Sequence, residues 1–221
     1  LSFTLFFLPL LSLSAFIGAT LVAIILYLFA IRREADRLRL LLMGVIISLF
    51  ASSLMMLLQS LGDPSHALSL MRWMMGSFAG ADGAKVLLAG SVLPLWLIIY
   101  RYGRALNLLR HGQIMATTRG VNSRKVIAWL FIWVSLLTAI LVSISGPIGF
   151  VGLIIPHIAR QWFGGDHRQL LLAAPLLGAI FLVLADLLGQ WLFMPAEIPV
   201  SVITALLGAP FFLLLLLKPR A

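Results

Sequence analysis

Between Gly146 and Ala179 the apolar run GPIGFVGLIIPHIARQWFGGDHRQLLLAAPLLGA releases His157, Arg160, Asp166, His167 and Arg168. These residue types ligate metals, move protons or bind anions. His157 and Arg160 stand at i and i+3 and share a helix face. His157 and His167 have no convincing third ligand, because Asp166 is adjacent to His167 and does not converge with it, so no metal site is expected. Pro156 and the Gly164–Gly165 pair imply a helix end and a turn. Asp186, in LVLADLLGQW, is the one acidic residue deep in an apolar run. A proton relay needs several such groups, so Asp186 is expected to pack or hydrogen-bond. No phosphate-cradling glycine loop ending in Lys-Ser/Thr occurs. There are no cysteines, which excludes disulfides and cysteine ligands or nucleophiles. Thr138 and Ser143 are expected to bond back to their own helix. Catalytic residues, cofactors and metals are therefore not expected, and neither is enzyme activity.

The elements that position these residues follow from composition. Of 221 residues, 62% are hydrophobic and 10% charged, with mean hydropathy +1.12. Soluble domains use roughly 45–50% and about 25%, so lipid is the solvent and the fold class is an all-α polytopic membrane bundle. Seven spans are expected, at 10–30, 38–59, 86–102, 126–145, 148–163, 170–191 and 200–217. Small residues within them, among them Gly44, Ala51, Ser52, Ser53, Gly146, Gly149, Gly152, Gly178 and Ala179, are expected to let helices approach closely. The formal net charge is +9, but the basic residues do not form one soluble face, which argues against nucleic acid. Arg32, Arg33, Arg37 and Arg39, then six from Arg101 to Lys125, then Arg160, Arg168, Lys218 and Arg220 fall on alternate loops. Only Arg72 and Lys85 fall on the other side. The positive-inside rule places the first group in the cytoplasm, the beginning of the chain outside and its end inside.

Two segments are not spans. In 62–85, Asp63–Pro64–Ser65 reads as a helix start before Met71, Trp73, Met74, Met75 and Phe78, an interfacial outer helix. In 105–121, Leu106, Leu108, Leu109, Ile114 and Met115 follow a helical pattern punctuated by Gly112 and Gly120. It reads as two short helices on the inner face, either a basic topology loop or a docking surface for a soluble partner.

GPIGFVGLIIPHIAR, GGDHRQLL, LLGAIFLVLAD and AEIPVSVITALLGAPFFLLLL, in this order and spacing, resemble the permease subunits of ABC importers for iron–siderophores, haem and vitamin B12. RALNLLRHGQIMATTRGV resembles that family's coupling helices and LMRWMMGSFAGAD its outer loop. The resemblance covers essentially the whole chain. It implies ten helices, of which 1–221 would be one permease domain lacking the first three. The family usually has an acidic residue where Gln113 stands, some relatives have Arg at the place of Gln190, and Ser201 replaces a glycine. The resemblance implies ATPase partners that use the ATP, an external substrate-binding protein, a second permease copy and a bacterial inner membrane. The coupling residues would be Leu106, Leu109, Gly112, Gln113, Ile114, Met115 and Gly120. Pro156, His157, Arg160, Asp166, His167 and Arg168 would form an inner-face turn. The cargo would be an iron(III)–siderophore, with vitamin B12 or haem as alternatives. An ion-coupled secondary transporter is the rival from another class, and a structural membrane subunit a third reading.

Overall fold

A computed structural model describes residues 14, 16–28, 37–62, 70–78, 83–192 and 198–217. Eleven helices run through these residues in chain order. They are α1 (Phe16–Leu28), α2 (Arg37–Leu61), α3 (70–74), α4 (Gly83–Gly90), α5 (Val92–Arg101) and α6 (Gly103–Arg110). Then come α7 (Gln113–Thr118), α8 (Ser123–Ser145), α9 (Val151–Phe163), α10 (His167–Trp191) and α11 (Val200–Leu217). The chain is a transmembrane helical bundle.

Each expected span coincides with helix where it is described, residues 10–13, 15, 29 and 30 of the first lying outside the described residues, but the spans are unequal. Segments Leu41–Leu61, Ser123–Ser145 and His167–Trp191 are long and apolar enough to cross a membrane alone. The run Lys85–Arg101 passes the same test only together with α6, from which it is bent by 44°. Helix α9, at 13 residues, is shorter than the roughly 20 residues that a full crossing takes, and so are the described parts of α1 and α11. The span expected from residue 148 starts as helix only at Val151. Gly146, with φ 71°, closes α8, and Phe150, the only non-glycine with positive φ among the described residues, opens α9 in the left-handed region. Such a conformation is costly for a bulky residue and persists only where packing imposes it. Here Gly208 of α11 leaves the space: a Cβ on Gly208 would collide with the Phe150 side chain.

Pro156 lies inside α9 rather than at its end, and Pro175 and Pro210 lie inside α10 and α11. A proline within a helix frees the carbonyl four residues earlier. For Pro175 that carbonyl belongs to Leu171, and the indole N–H of Trp96 on α5 donates to it at 2.9 Å. A neighbouring helix thus restores the bond that the proline removes, as lipid surroundings demand.

The buried centre joins α10 to α11 through Ala185, Val200 and Ile203, with Leu182 and Ile198 against them. A Cβ on Gly189 would collide with the Ile198 carbonyl, so glycine is what lets the chain pass there. By contrast, α2 buries none of its apolar window within the chain. Its small residues Gly44, Ala51, Ser52 and Ser53 do not serve as packing sites here: Gly44 has nothing within 4 Å of a built Cβ, and the other three are exposed. Gly149 and Gly152 are also open.

On the far side of the bundle from α6 and α7, the chain after α3 interlocks with the end of α8. The Ser77 amide donates to the Ser145 carbonyl at 2.9 Å. Gly76 and Gly146 both have positive φ and lie against each other's backbone. A Cβ on Gly146 would collide with the Trp73 carbonyl. The expected helix start at Asp63–Pro64–Ser65 lies outside the described residues.

Candidate functional site

Three residues of α6 at i, i+4 and i+7 form one stripe against the start of α10 and the turn before it. Gly103 is buried, and a Cβ there would come within 3.0 Å of the Arg168 side chain. Asn107 sits at the centre. Its Nδ2 donates to Asp166 Oδ1 at 2.6 Å, and its Oδ1 accepts from the His167 amide at 2.8 Å. The same oxygen lies 2.9 Å from His167 Nδ1. Since Oδ1 can only accept, Nδ1 carries the imidazole hydrogen. Arg110 completes the stripe, its Nη1 donating to the Gly165 carbonyl at 2.8 Å. The guanidinium lies so close that a Cβ on Gly165 would collide with it.

Asp166 has a second task. It is the N-cap of α10, and its Oδ1 accepts from the Arg168 amide at 2.8 Å, which satisfies one of the helix's orphan donors. The hydrogen bond from Asn107, then that from the Arg168 amide, hold the exposed Asp166 carboxyl below its ordinary range, with Arg168 and His167 adding attraction. One carboxylate therefore starts a membrane helix and fastens it to α6.

Behind this stripe, a cavity of about 490 Å³ lies between α6 and the ends of α9 and α10. Leu106 and Leu109 line it from α6, and Arg160 and His167 line it from the other side.

The short helices α6 and α7 meet at Gly112, whose φ of 111° is open to glycine and strained for side chains. Gly120 follows α7 with φ 79°. Ile114 is 81% exposed and Met115 53%, while Ala116 between them and the bundle is fully buried. Helix α7 thus presents an apolar face with no cover from the described residues.

The FecCD transport family model matches residues 1–218. The chain belongs to that family. It is 37% identical to the hemin transport system permease protein HmuU of Yersinia pestis, over 93% of this chain and 62% of that one. It is 39% identical to the vitamin B12 import system permease protein BtuC of Photorhabdus laumondii, over 96% of this chain and 63% of that one. An uncharacterised ABC transporter permease of Bacillus subtilis, YvrB, is 39% identical over 96% of this chain and 60% of its own. The chain thus spans about three-fifths of the length of these curated relatives. A solved structure described as an inward-facing metal-chelate type ABC transporter superposes with TM-score 0.81 at 33% identity, over 95% of this chain and 71% of that one.

Within this FecCD chain the expected site residues divide. Asp166, His167 and Arg168 come together at the junction, and Arg160 faces the same cavity. Pro156 and His157 do not join the turn: they lie within α9, where His157 meets the ring of Phe211 edge-on at 6.1 Å. The i, i+3 pairing of His157 with Arg160 therefore carries no shared site. Leu106 and Leu109 are half-buried in the cavity rather than free beside Ile114 and Met115. The side chain of Gln113, the first residue of α7, lies outside the described residues. Asp186 is half-buried and accepts from Gln190 of its own helix at 2.9 Å, so its partner is one turn away rather than on a neighbouring helix. Thr138 and Ser143 bond back to carbonyls of α8. Asn107 and Arg110 are the site residues that sequence reasoning missed. The signal was present as a polar stripe at 103, 107 and 110, set beside the more conspicuous leucines.

Proposed function

We propose that this chain is the membrane-spanning part of an ABC importer for a metal chelate, and that α6 and α7 receive the force of ATP hydrolysis carried out by separate subunits. The observation that carries this reading is the stripe Gly103–Asn107–Arg110, which fastens a short helix outside the long spans to the start of α10. Movement of α6 would be handed to α9 and α10 without passing through a flexible loop. Ile114 and Met115 supply exposed apolar anchors for an ATPase cleft. Family membership and the printed descriptions of the relatives support the class, since haem and vitamin B12 are both metal chelates. Iron–siderophore is the third cargo to test. An external binding protein, a second permease half and an orientation with α6 and α7 in the cytoplasm of a bacterial inner membrane complete the reading.

The test is co-purification with the ATPase subunit, followed by uptake of labelled haem, vitamin B12 and ferric siderophore into reconstituted vesicles. The double variant Ile114→Asp, Met115→Asp is expected to insert normally, to lose the ATPase in pull-down and to abolish ATP-driven uptake. Retention of the ATPase by that variant would remove α7 as the contact. Uptake driven by a proton gradient without ATP would replace the importer with a secondary carrier.

A further inference from the structure

The cavity behind the α6 stripe has a chemistry that force transmission does not use. The space, about 490 Å³, is an open groove whose two arginines, Arg110 and Arg160, are both exposed. Arg110 and Arg160 enter it from opposite sides, with the His167 imidazole between α6 and the turn. Among the described residues no acidic side chain lines it. The nearest carboxylate, Asp166, is turned to Asn107 and the Arg168 amide. Arg110 spends one N–H on the Gly165 carbonyl, which fixes the guanidinium and leaves its other donors. Arg160 has no hydrogen-bond or ion-pair partner among the described residues. Two guanidiniums with spare donors around one space suit the oxygens of a phosphate, which they grip as forks rather than as point charges.

The rest of the lining says what the phosphate is attached to. Leu106 and Leu109 give the cavity an apolar wall, which a free inorganic anion would not use. The cavity also lies where spans end. On the same last turns of α9, Trp162 is 68% exposed and Phe163 46%, an aromatic pair of the kind that sits at headgroup level. Basic pockets between membrane helices on the cytoplasmic side are suited to anionic headgroups.

We infer that this cavity between α6, α9 and α10 holds the phosphate headgroup of an anionic phospholipid, gripped by Arg110 and Arg160 with its glycerol end against Leu106 and Leu109. The lipid would brace the joint between α6 and the membrane helices and make that joint sensitive to the charge of the surrounding bilayer. The inference rests on the orientation given above for its biological setting, but the binding itself does not depend on it.

Native mass spectrometry of the detergent-purified protein, offered equal amounts of phosphatidylglycerol and phosphatidylcholine, tests it. Wild type is expected to retain phosphatidylglycerol in preference by at least about five-fold, the value of one basic residue near a charged lipid. Arg160→Gln should cut that preference by roughly five-fold, Arg160→Lys should keep only part of it because a point charge replaces the fork, and Arg39→Gln on exposed α2 should leave it unchanged. The Arg160 side chain donates no bond among the described residues, so its replacement is expected to leave the fold intact. Equal retention of the two lipids, or a preference untouched by Arg160→Gln, overturns the inference. Displacement of the lipid by millimolar inorganic phosphate would make this a soluble-anion site instead. A preference lost on binding the ATPase subunit, with Arg160→Gln weakening that pull-down, would assign the cavity to an acidic side chain of the partner. Since the measurement reads neither uptake nor hydrolysis, its failure and that of the importer reading are separable.

Discussion

The two ends of this bundle are joined by different means. At the α6–α10 junction, helices are tied by side chains: Asn107, Asp166, His167 and Arg110 exchange hydrogen bonds across the gap. At the opposite end, the segment after α3 meets the end of α8 backbone to backbone. Two positive-φ glycines and one amide-to-carbonyl bond suffice there. A joint of side chains can be altered one group at a time and responds to charge. A joint of backbones tolerates almost no change but has nothing to titrate. The side-chain joint is the one suited to be worked, and the backbone joint is the one suited to stay fixed.

Substitution should separate them, and the largest effect belongs to the backbone joint. Gly146→Ala places a Cβ against the Trp73 carbonyl and in a left-handed conformation, which alone costs roughly 1–3 kcal/mol. The expected outcome is a marked loss of folded protein in membranes, seen by size-exclusion chromatography after solubilisation. A normal yield would mean that this end is not rigid. Next is Trp96→Phe, which leaves the Leu171 carbonyl without a donor in apolar surroundings and should cost about 1–3 kcal/mol. Its readout is a lowered melting temperature in detergent, and an unchanged one would show that the proline-freed carbonyl finds another donor.

Asn107→Ala should be milder on stability and stronger on function. All three tie points of that amide are lost, yet they lie at the surface. The folded yield should stay near wild type while ATPase stimulation by loaded binding protein falls roughly ten-fold, within the usual span of coupling energies. Undiminished stimulation would reduce the stripe to passive packing.

The smallest effect is that of acid. The carboxyl of Asp166 is held below its ordinary range by Asn107 and the Arg168 amide. A depressed carboxyl contributes stability above its unfolded value, near 3.8, and that contribution fades as pH falls through the lowered one. Burial also holds the His167 imidazole below its ordinary value of 6.5, so charging it costs stability as pH falls below that value. Spin labels at Arg104 and Gln169 should therefore begin to broaden below about 6.5 and broaden further as Asp166 is protonated. Labels at Met74 and Pro147 should not respond. Broadening of both pairs together would dissolve the distinction between the ends.

The sequence made the bundle legible because lipid demands long apolar runs, and the described part of each expected span falls on helix. Gly112 and Gly120 were legible as turns because positive φ selects glycine. What escaped were features decided by contact rather than by composition. Pro156 looked like a terminator, yet α9 continues through it. The pairing of Trp96 with Leu171 joins residues far apart in sequence, and no local pattern announces it. Asn107 was overlooked for a similar reason: an asparagine in a short basic helix reads as solvated until α10 is placed beside it. For Asp186 the sequence suggested a hydrogen bond but not its partner, which is Gln190 one turn on in the same helix.

Phe150 and Gly208 carry a consequence for inheritance. The ring of Phe150 occupies the space that a side chain at 208 would need, and the strained backbone at 150 is held there by that fit. The two positions therefore behave as one heritable character. A methyl added at 208 meets the Phe150 Cβ before it meets the ring, and every residue but glycine keeps that Cβ, so only glycine at 150, which also suits the positive φ there, opens the route. The less strained order of change therefore runs from glycine at 150 to a side chain at 208, and the reverse order carries the collision through its intermediate step.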